Sequence, residues 1–486
     1  MNSYKKGKKK VVSKRSLDHF FNAESVAVIG ASKDPGKAGN QILKNMLAVG
    51  YQGKIYPVHP TVEKIFDLKC YPDLTSIPGK VELIVVVIPD FGVPAVMRQA
   101  ARRGDVKAAI IIAAGFSETK IPERVELEKE VLSIAKEAGI RVFGPNCVGI
   151  INTVNHLDTT FAPNIRQSFR EVSFISQSGA TGASILMFAQ DQPVPFGFNK
   201  WAHVGNMSDV DIIEILKYYG EDEKTKVIGM YMEGIENAAD FLDEAGKISV
   251  EKPILILKVG RSEIGSKAAE SHTGSLAGVD LIYDGVFRQT GITRVMTIEE
   301  LLDTAKAFAM QPLPRGNRIC VLTEAGGPGI ICMDEIGLCP QVTMATLSQK
   351  SVAKLEEILP PMAIINRPSG YIDMSAAALE KAHREALEVV LADEGVDGVI
   401  LITVPPTFLQ PTLLARELVE VVKNSAKPVL TCLMAGEWVK EGRIILEENS
   451  GPTFDSPQRA ARTMINMVKR SNFLQRIMEE AGCNES

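Results

Sequence analysis

Residues 258–278 read KVGRSEIGSKAAESHTGSLAG and hold a single histidine, His272, among small and hydroxyl-bearing residues. A neutral imidazole is a competent nucleophile toward phosphorus, because one ring nitrogen keeps a free lone pair near neutral pH. Gly260 and Gly265 allow close backbone approach to a phosphate and give a loop that can move. Ser271, Thr273 and Ser275 can donate hydrogen bonds or cap a helix that begins nearby. An apolar strand at 253–258 leads in. The chemistry implied is phosphate handling with a candidate phosphohistidine. A surface histidine in a flexible connection fits the spacing equally well.

Three glycine turns follow apolar strands and open helices. The first, Gly30-Ala-Ser-Lys-Asp-Pro-Gly36-Lys-Ala-Gly39, places backbone N–H groups and a helix dipole toward an anion. Its spacing is not that of the NAD fingerprint, and the second strand ends Val58-His59-Pro60, with no acid to read a ribose. It also misses a Walker A loop, being one residue too long and carrying Ala38 where Ser or Thr is needed. A nucleotide-like ligand is expected here, without hydride transfer or P-loop hydrolysis; a purely structural turn is the other reading. The turns Ser176-Gln-Ser178-Gly179-Ala180-Thr181-Gly182 and Glu324-Ala-Gly326-Gly327-Pro328-Gly329 are weak signals singly. Together with one histidine they could hold a phosphoryl group from two sides, each dipole contributing about 0.3–1 kcal/mol.

The elements that must position these residues read as α/β throughout. The 486 residues suffice for about three domains, and a net charge of −5 argues against nucleic acid as the main partner. The first fifteen residues are basic without an acid and read as a disordered, solvated tail, or secondarily a docking arm. No apolar run reaches about 18 residues, so no membrane span is expected. Seven scattered cysteines without a CxxC pair fit a reduced cytoplasm, and six histidines without clustering suggest no metal site.

From Ser25 to about Asn155, apolar strands alternate with helices, the pattern of a doubly wound parallel sheet and a Rossmann-like domain. An internal repeat follows. VSFISQS (172–178) matches ICVLTEA (319–325), VIGMYMEGI (227–235) matches VDGVILITVP (396–405), and KPILILKVGR (252–261) matches KPVLTCLMAG (427–436). These are two flavodoxin-like α/β domains joined near the Pro/Gly-rich stretch 311–317. The expected division is a tail at 1–17, a Rossmann-like domain at 18–155, and flavodoxin-like domains at 156–312 and 313–486. The copies differ where chemistry would sit. Glu233 ends the middle strand of the first, where the second has Val404 or Pro405, and only the first runs into the His272 segment.

SVAVIGAS, the VIP at 87–89, GPNCVGIIN (144–152), SQSGA, MEGI, ESHTGSLAG and AGGPG resemble the α subunit of the NDP-forming acyl-CoA synthetases, the ADP-forming acetate–CoA ligases related to succinyl-CoA synthetase. The likeness runs from about Asp18 to Ala461. It implies His272 as phosphohistidine and Glu233 as the carboxylate that orients it. It places phosphate at Ser178, Gly179 and Ala180 and at Gly326, Gly327 and Gly329. Ala180 stands where the family often has Thr, so only the backbone contact carries over. Gly30, Ser32, Lys33 and Gly39 would line the CoA site, with Val58, Ile88, Pro89 and Asn146 on neighbouring strand ends. The Asn-Pro-Val-Asp stretch of the last domain is altered here to Asn366-Arg-Pro-Ser-Gly-Tyr-Ile-Asp373.

The resemblance further implies that acyl-CoA and phosphate give an acyl phosphate and CoA, that His272 takes the phosphoryl group, and that its loop carries it to ADP. ADP or ATP with Mg²⁺ would sit on an ATP-grasp β subunit in an α2β2 heterotetramer, since about 25 residues after Ala461 leave no room for that domain. The acid would be a small carboxylic acid and the location cytoplasmic. A non-enzymatic CoA-binding module that senses acyl-CoA is the alternative, and the Glu233/His272 pair argues against it. A protein acyltransferase would need an appended acetyltransferase domain, and a nicotinamide dehydrogenase is disfavoured by the first turn.

Overall fold

The computed structural model describes residues 15–483, apart from 164, 166, 167, 236 and 274–279, and only the backbone of 15, 16, 269–273, 482 and 483. The chain falls into two compact units. The first comprises Met1–Phe169, Phe174–Ser184 and Phe198–Asp222; the second comprises Arg170–Ser173, Ile185–Gly197 and Glu223–Ser486.

In the first unit, five parallel strands line up as Lys54–Val58, Ser25–Ile29, Leu83–Val86, Ala108–Ile111 and Arg141–Phe143. Four of them are almost wholly buried apolar runs, as parallel strands covered by helices on both faces must be. The chain reverses direction across the sheet between the Ser25–Ile29 and Leu83–Val86 strands, and such a switch point opens a crevice at the carboxyl ends. The helix Arg15–Phe21 begins inside the stretch expected as tail: Leu17, Phe20 and Phe21 are buried and anchor it. Residues 1–14 of that expected tail lie outside the described residues. Lys200–His203 pairs antiparallel with Gly149–Asn152, which pairs with Leu157–Asp158; the last two strands flank the expected boundary at 155.

In the second unit, Val227–Met232, Ile254–Lys258 and Ile292–Val295 run parallel, with helix Ala238–Glu251 crossing from the first to the second. The closing sheet orders Ile364–Ile365, Tyr371–Asp373, Arg318–Thr323, Gly398–Thr403, Val429–Leu433 and Thr453–Phe454. Its core packs Cys320, Leu322, Leu401 and Leu433 against helix residues such as Leu387, Leu414 and Leu446. The helix Pro457–Cys483 packs on the helices Ile298–Met310 and Gly326–Gly337.

The repeat is carried by matching elements. Strand, turn, helix, strand, helix, strand run as Val172–Ser176, Gly179–Gln190, Val227–Met232, Ala238–Glu251 and Ile254–Lys258 in one copy. The other has Arg318–Thr323, Gly326–Gly337, Gly398–Thr403, Pro411–Asn424 and Val429–Leu433. Met232 stands opposite Lys258, and Thr403 opposite Leu433. That register makes Glu233 the counterpart of Val404, and Lys258 of Leu433. Among the described residues no helix is long and apolar enough to cross a membrane.

Candidate functional site

The first glycine turn is tight because two backbones nearly touch. A Cβ on Gly39 would lie 2.1 Å from the Gly30 carbonyl oxygen, so only glycine lets the helix Ala38–Ala48 start there. Gly30 and Ala31 each donate N–H to Val58 O at 3.2 Å. Ser32 O accepts from Asn40 Nδ2 at 2.8 Å, which pins the turn to the helix. The helix N-cap, Lys37, makes no side-chain cap, so the end is open to an external acceptor. Lys33 is exposed beside it. This turn offers what an anionic group such as a pyrophosphate needs: an uncapped helix end, a close backbone and an exposed lysine at a switch point.

Gly30, Val58 and Ile88 stand side by side on three adjacent strand ends, Ile88 half-buried and Pro89 exposed. Asn146 lies two strands further along the same edge, in the left-handed region (φ 57°) that Asn tolerates, donating to Asn206 Oδ1 at 3.2 Å.

At the second turn, Ser176 Oγ donates to Ser178 O at 2.7 Å and accepts from Ser178 N at 3.2 Å. Ser178 Oγ then accepts from Thr181 N at 3.4 Å and caps the helix Gly179–Gln190, whose Ala180 is exposed. A Cβ on Gly179 would meet Val148 Cγ2 at 2.9 Å and His203 Cε1 at 3.0 Å.

His203 escaped the sequence reading, because only the pairing of Lys200–His203 with Ser176 and with Gly149 brings it to the turn. It is 6 % exposed, and its Nδ1 lies 2.8 Å from Val148 N. A backbone amide can only donate, so Nδ1 carries no proton and the neutral ring keeps its proton on Nε2. Burial pulls the His203 pKa from 6.5 down to about 4, against the opposing pull of a backbone hydrogen bond at Gln177.

The third turn repeats the second in backbone and differs in charge. Thr323 Oγ1 donates to Ala325 O and accepts from Ala325 N, both at 3.0 Å, as Ser176 does with Ser178. Gly327 faces open space, and Gly329 packs on Tyr371 and Thr323. Beside Gly326, a Cβ would lie 2.9 Å from Asp373 Oδ2, so a carboxylate already stands at this helix end. The buried Glu324 accepts from Val404 N at 2.5 Å and lies 3.6 Å from buried His383 Nε2. The sequence reading passed over this pair, whose members are far apart in the chain. An anion is therefore better received at the second turn than at the third.

Glu233 follows the strand Val227–Met232 directly and is 7 % exposed. The neighbouring strand ends at Lys258, with Val259 N donating to Met232 O at 3.1 Å, and then leads to the histidine segment. That segment was expected as a loop; its 263–273 portion is instead the helix Glu263–Thr273. Good helix formers explain this: Lys267 and Glu263 pair at 2.7 Å across one turn, and Ser262 Oγ accepts from Gly265 N at 3.0 Å at the start. His272 falls in the last turn; its side chain, and the rest of the expected mobile loop at 274–279, lie outside the described residues.

Comparison with known proteins matches two stretches of the chain. Residues 24–153 match the CoA binding domain family and 170–308 the succinyl-CoA ligase like flavodoxin domain. The α subunit of ADP-forming acetate–CoA ligase II from Pyrococcus furiosus is 41% identical over 94% of this chain and 98% of its own length. The ADP-forming acetate–CoA ligase of Methanocaldococcus jannaschii is 38% identical over 94% of this chain, which spans 63% of that longer protein. A solved dinucleotide forming acetyl-coenzyme A synthetase 1 from Candidatus Korarchaeum cryptofilum, in complex with phosphate and ADP, superposes with a TM-score of 0.87 at 33% identity, covering 96% of this chain and 98% of that one. With that agreement over nearly its whole length, the chain belongs to the ADP-forming acetate–CoA ligase family and aligns with its α subunits.

Proposed function

We propose that this chain is the α subunit of an ADP-forming acyl-CoA synthetase, interconverting acyl-CoA, phosphate and ADP with a carboxylic acid, CoA and ATP. The observation that carries the reading is a buried strand-end carboxylate, Glu233, beside the strand that leads into the His272 helix, in one copy of the repeat and replaced by Val404 in the other. CoA supplies the thiol that accepts and releases the acyl group. Gly30, Ser32, Lys33 and Gly39 hold its phosphates, with Val58, Ile88, Pro89 and Asn146 along the same strand edge.

Phosphate attacks the acyl carbonyl and the thiolate leaves; the His272 ring nitrogen then attacks the phosphorus of the acyl phosphate, and the carboxylate leaves as the P–O bond breaks. Phosphoryl transfer asks mainly for position and charge stabilisation. Glu233 supplies both to His272 by fixing its tautomer and steadying the cationic ring. Ser178, Gly179 and Ala180 offer backbone amides to the phosphate. Gly326, Gly327 and Gly329 offer a second helix end, less favourable because of Asp373. ADP and Mg²⁺ belong to an ATP-grasp partner subunit, with α2β2 as the assembly. The α-subunit relatives, which this chain matches almost end to end, support a separate partner. Domain limits near 155 and 312 and a cytoplasmic location complete the reading.

The test is labelling. The full chain incubated with acetyl-CoA and radiolabelled phosphate should gain acid-labile, base-stable label. Label that persists in His272→Ala would refute the assignment.

A further inference from the structure

Lys258 ends the strand Ile254–Lys258 with its side chain 2 % exposed. A buried ammonium needs a partner, because desolvation costs several kcal/mol. Its Nζ donates to the Val259 carbonyl at 2.5 Å and lies 4.7 Å from the centre of the Tyr283 ring. An ammonium has three N–H donors, and no carboxylate lies within ion-pair distance of this one among the described residues. Among the described residues, the charged groups that act on it are Asp280, Arg294 and Glu233. Asp280 is taken by Arg294, which also binds Asp284, both at 2.5 Å. Burial draws the Lys258 pKa below that of an ordinary lysine.

The repeat provides an internal control. The same register position in the second copy is Leu433, 1 % exposed and packed in an apolar core. The fold therefore does not need a charge at this strand end. The copy that carries a cation here is also the copy that carries Glu233 one strand away.

We propose that Lys258 is the counter-charge of the phosphoryl site, a buried ammonium that lets the Glu233 carboxylate and an incoming phosphate share one strand edge. The inference rests on the phosphoryl-transfer reading above. A carboxylate alone repels phosphate; a cation on the next strand end with donors to spare offsets that charge.

The experiment uses the full chain with Lys258→Leu, the residue of the second copy, and Lys258→Arg. Binding of inorganic phosphate is measured by calorimetry, label from acetyl-CoA and phosphate is counted, and the denaturant midpoint is recorded. Lys258→Leu should weaken phosphate binding about ten- to a hundredfold, the scale of a charge-assisted hydrogen bond, with a midpoint equal to or above wild type. Lys258→Arg should recover most of the binding. Wild-type affinity in Lys258→Leu would overturn the proposal. So would a lowered midpoint with Arg no better than Leu, since packing alone would explain that. Phosphate binding that depends on Lys258 in a chain that never labels would support this site while refuting the transfer reading.

Discussion

At the scale of single residues, the two copies of the repeat sort chemistry from scaffolding. Glu233 and Val404 occupy equivalent strand ends, so their substitution isolates what the carboxylate does. Glu233→Gln keeps the shape and loses the charge, and should cut phosphoenzyme formation by about 10²-fold or more, measured as label on the full chain. Val404 is 36 % exposed and offers its backbone N–H, not its side chain, to Glu324. Val404→Ala should therefore shift stability by no more than about 0.5 kcal/mol in a denaturant titration.

At the scale of elements, His203 couples three segments: the Gly149–Asn152 strand, the Lys200–His203 strand and the turn into the Gly179–Gln190 helix. Its folded pKa, about 4, lies below the ordinary 6.5. Between those values the unfolded chain binds more protons than the native one. The stability that the neutral ring contributes is thus complete above pH 6.5 and lost progressively as the pH falls toward 4, by up to about 3 kcal/mol. Urea midpoints measured across that range should fall with acid in wild type and flatten in His203→Gln. A wild type with no dependence in that window would refute the fixed tautomer. The first turn gives a sharper case: Gly39→Ala must push the helix start away from Gly30, and should weaken CoA binding while sparing the label on His272 from chemically supplied acyl phosphate.

For the whole molecule, two outcomes are expected. The full chain should bind CoA and not NAD by calorimetry, because the second strand of the first sheet ends without a ribose-reading acid. Purified alone, it should make no ATP from acyl-CoA, ADP and phosphate, and gain that activity when an ATP-grasp subunit is added. The order of strands and helices was legible because buried parallel strands are unbroken apolar runs, and the repeat showed because both copies need the same turn chemistry. Ser176 and Thr323 keep that hydroxyl in both. Much of what escaped depends on contacts between segments far apart in the chain. His203 and the Glu324–His383 pair have no local signature; the repeat aligns Lys258 with Leu433 already in the sequence, but the burial of its ammonium shows only in the fold. The helix Glu263–Thr273 was missed because its glycine and serines suggest a loop, while its propensity resides in Lys267, Ala268, Ala269 and Glu270.

That helix turns the histidine segment into an arm of fixed radius. Eleven residues from Glu263 to Thr273 make a rod of about 16 Å at 1.5 Å per residue, with His272 near its tip. At its base stands Gly260 in the left-handed region, φ 75°, where rotation costs a glycine little. Swung through about 60° on that pivot, the tip travels a chord equal to the radius, far beyond what a side chain can reach by changing rotamer. On the proposed phosphohistidine role of His272, delivery would depend on two numbers, arm length and angular phase. Inserting a single alanine after Ala268 would turn the imidazole by about 100° around the rod and should stop transfer to the partner. Inserting four would nearly restore the phase while lengthening the arm by about 6 Å, and should recover transfer in part, a periodic response that a flexible tether would not give.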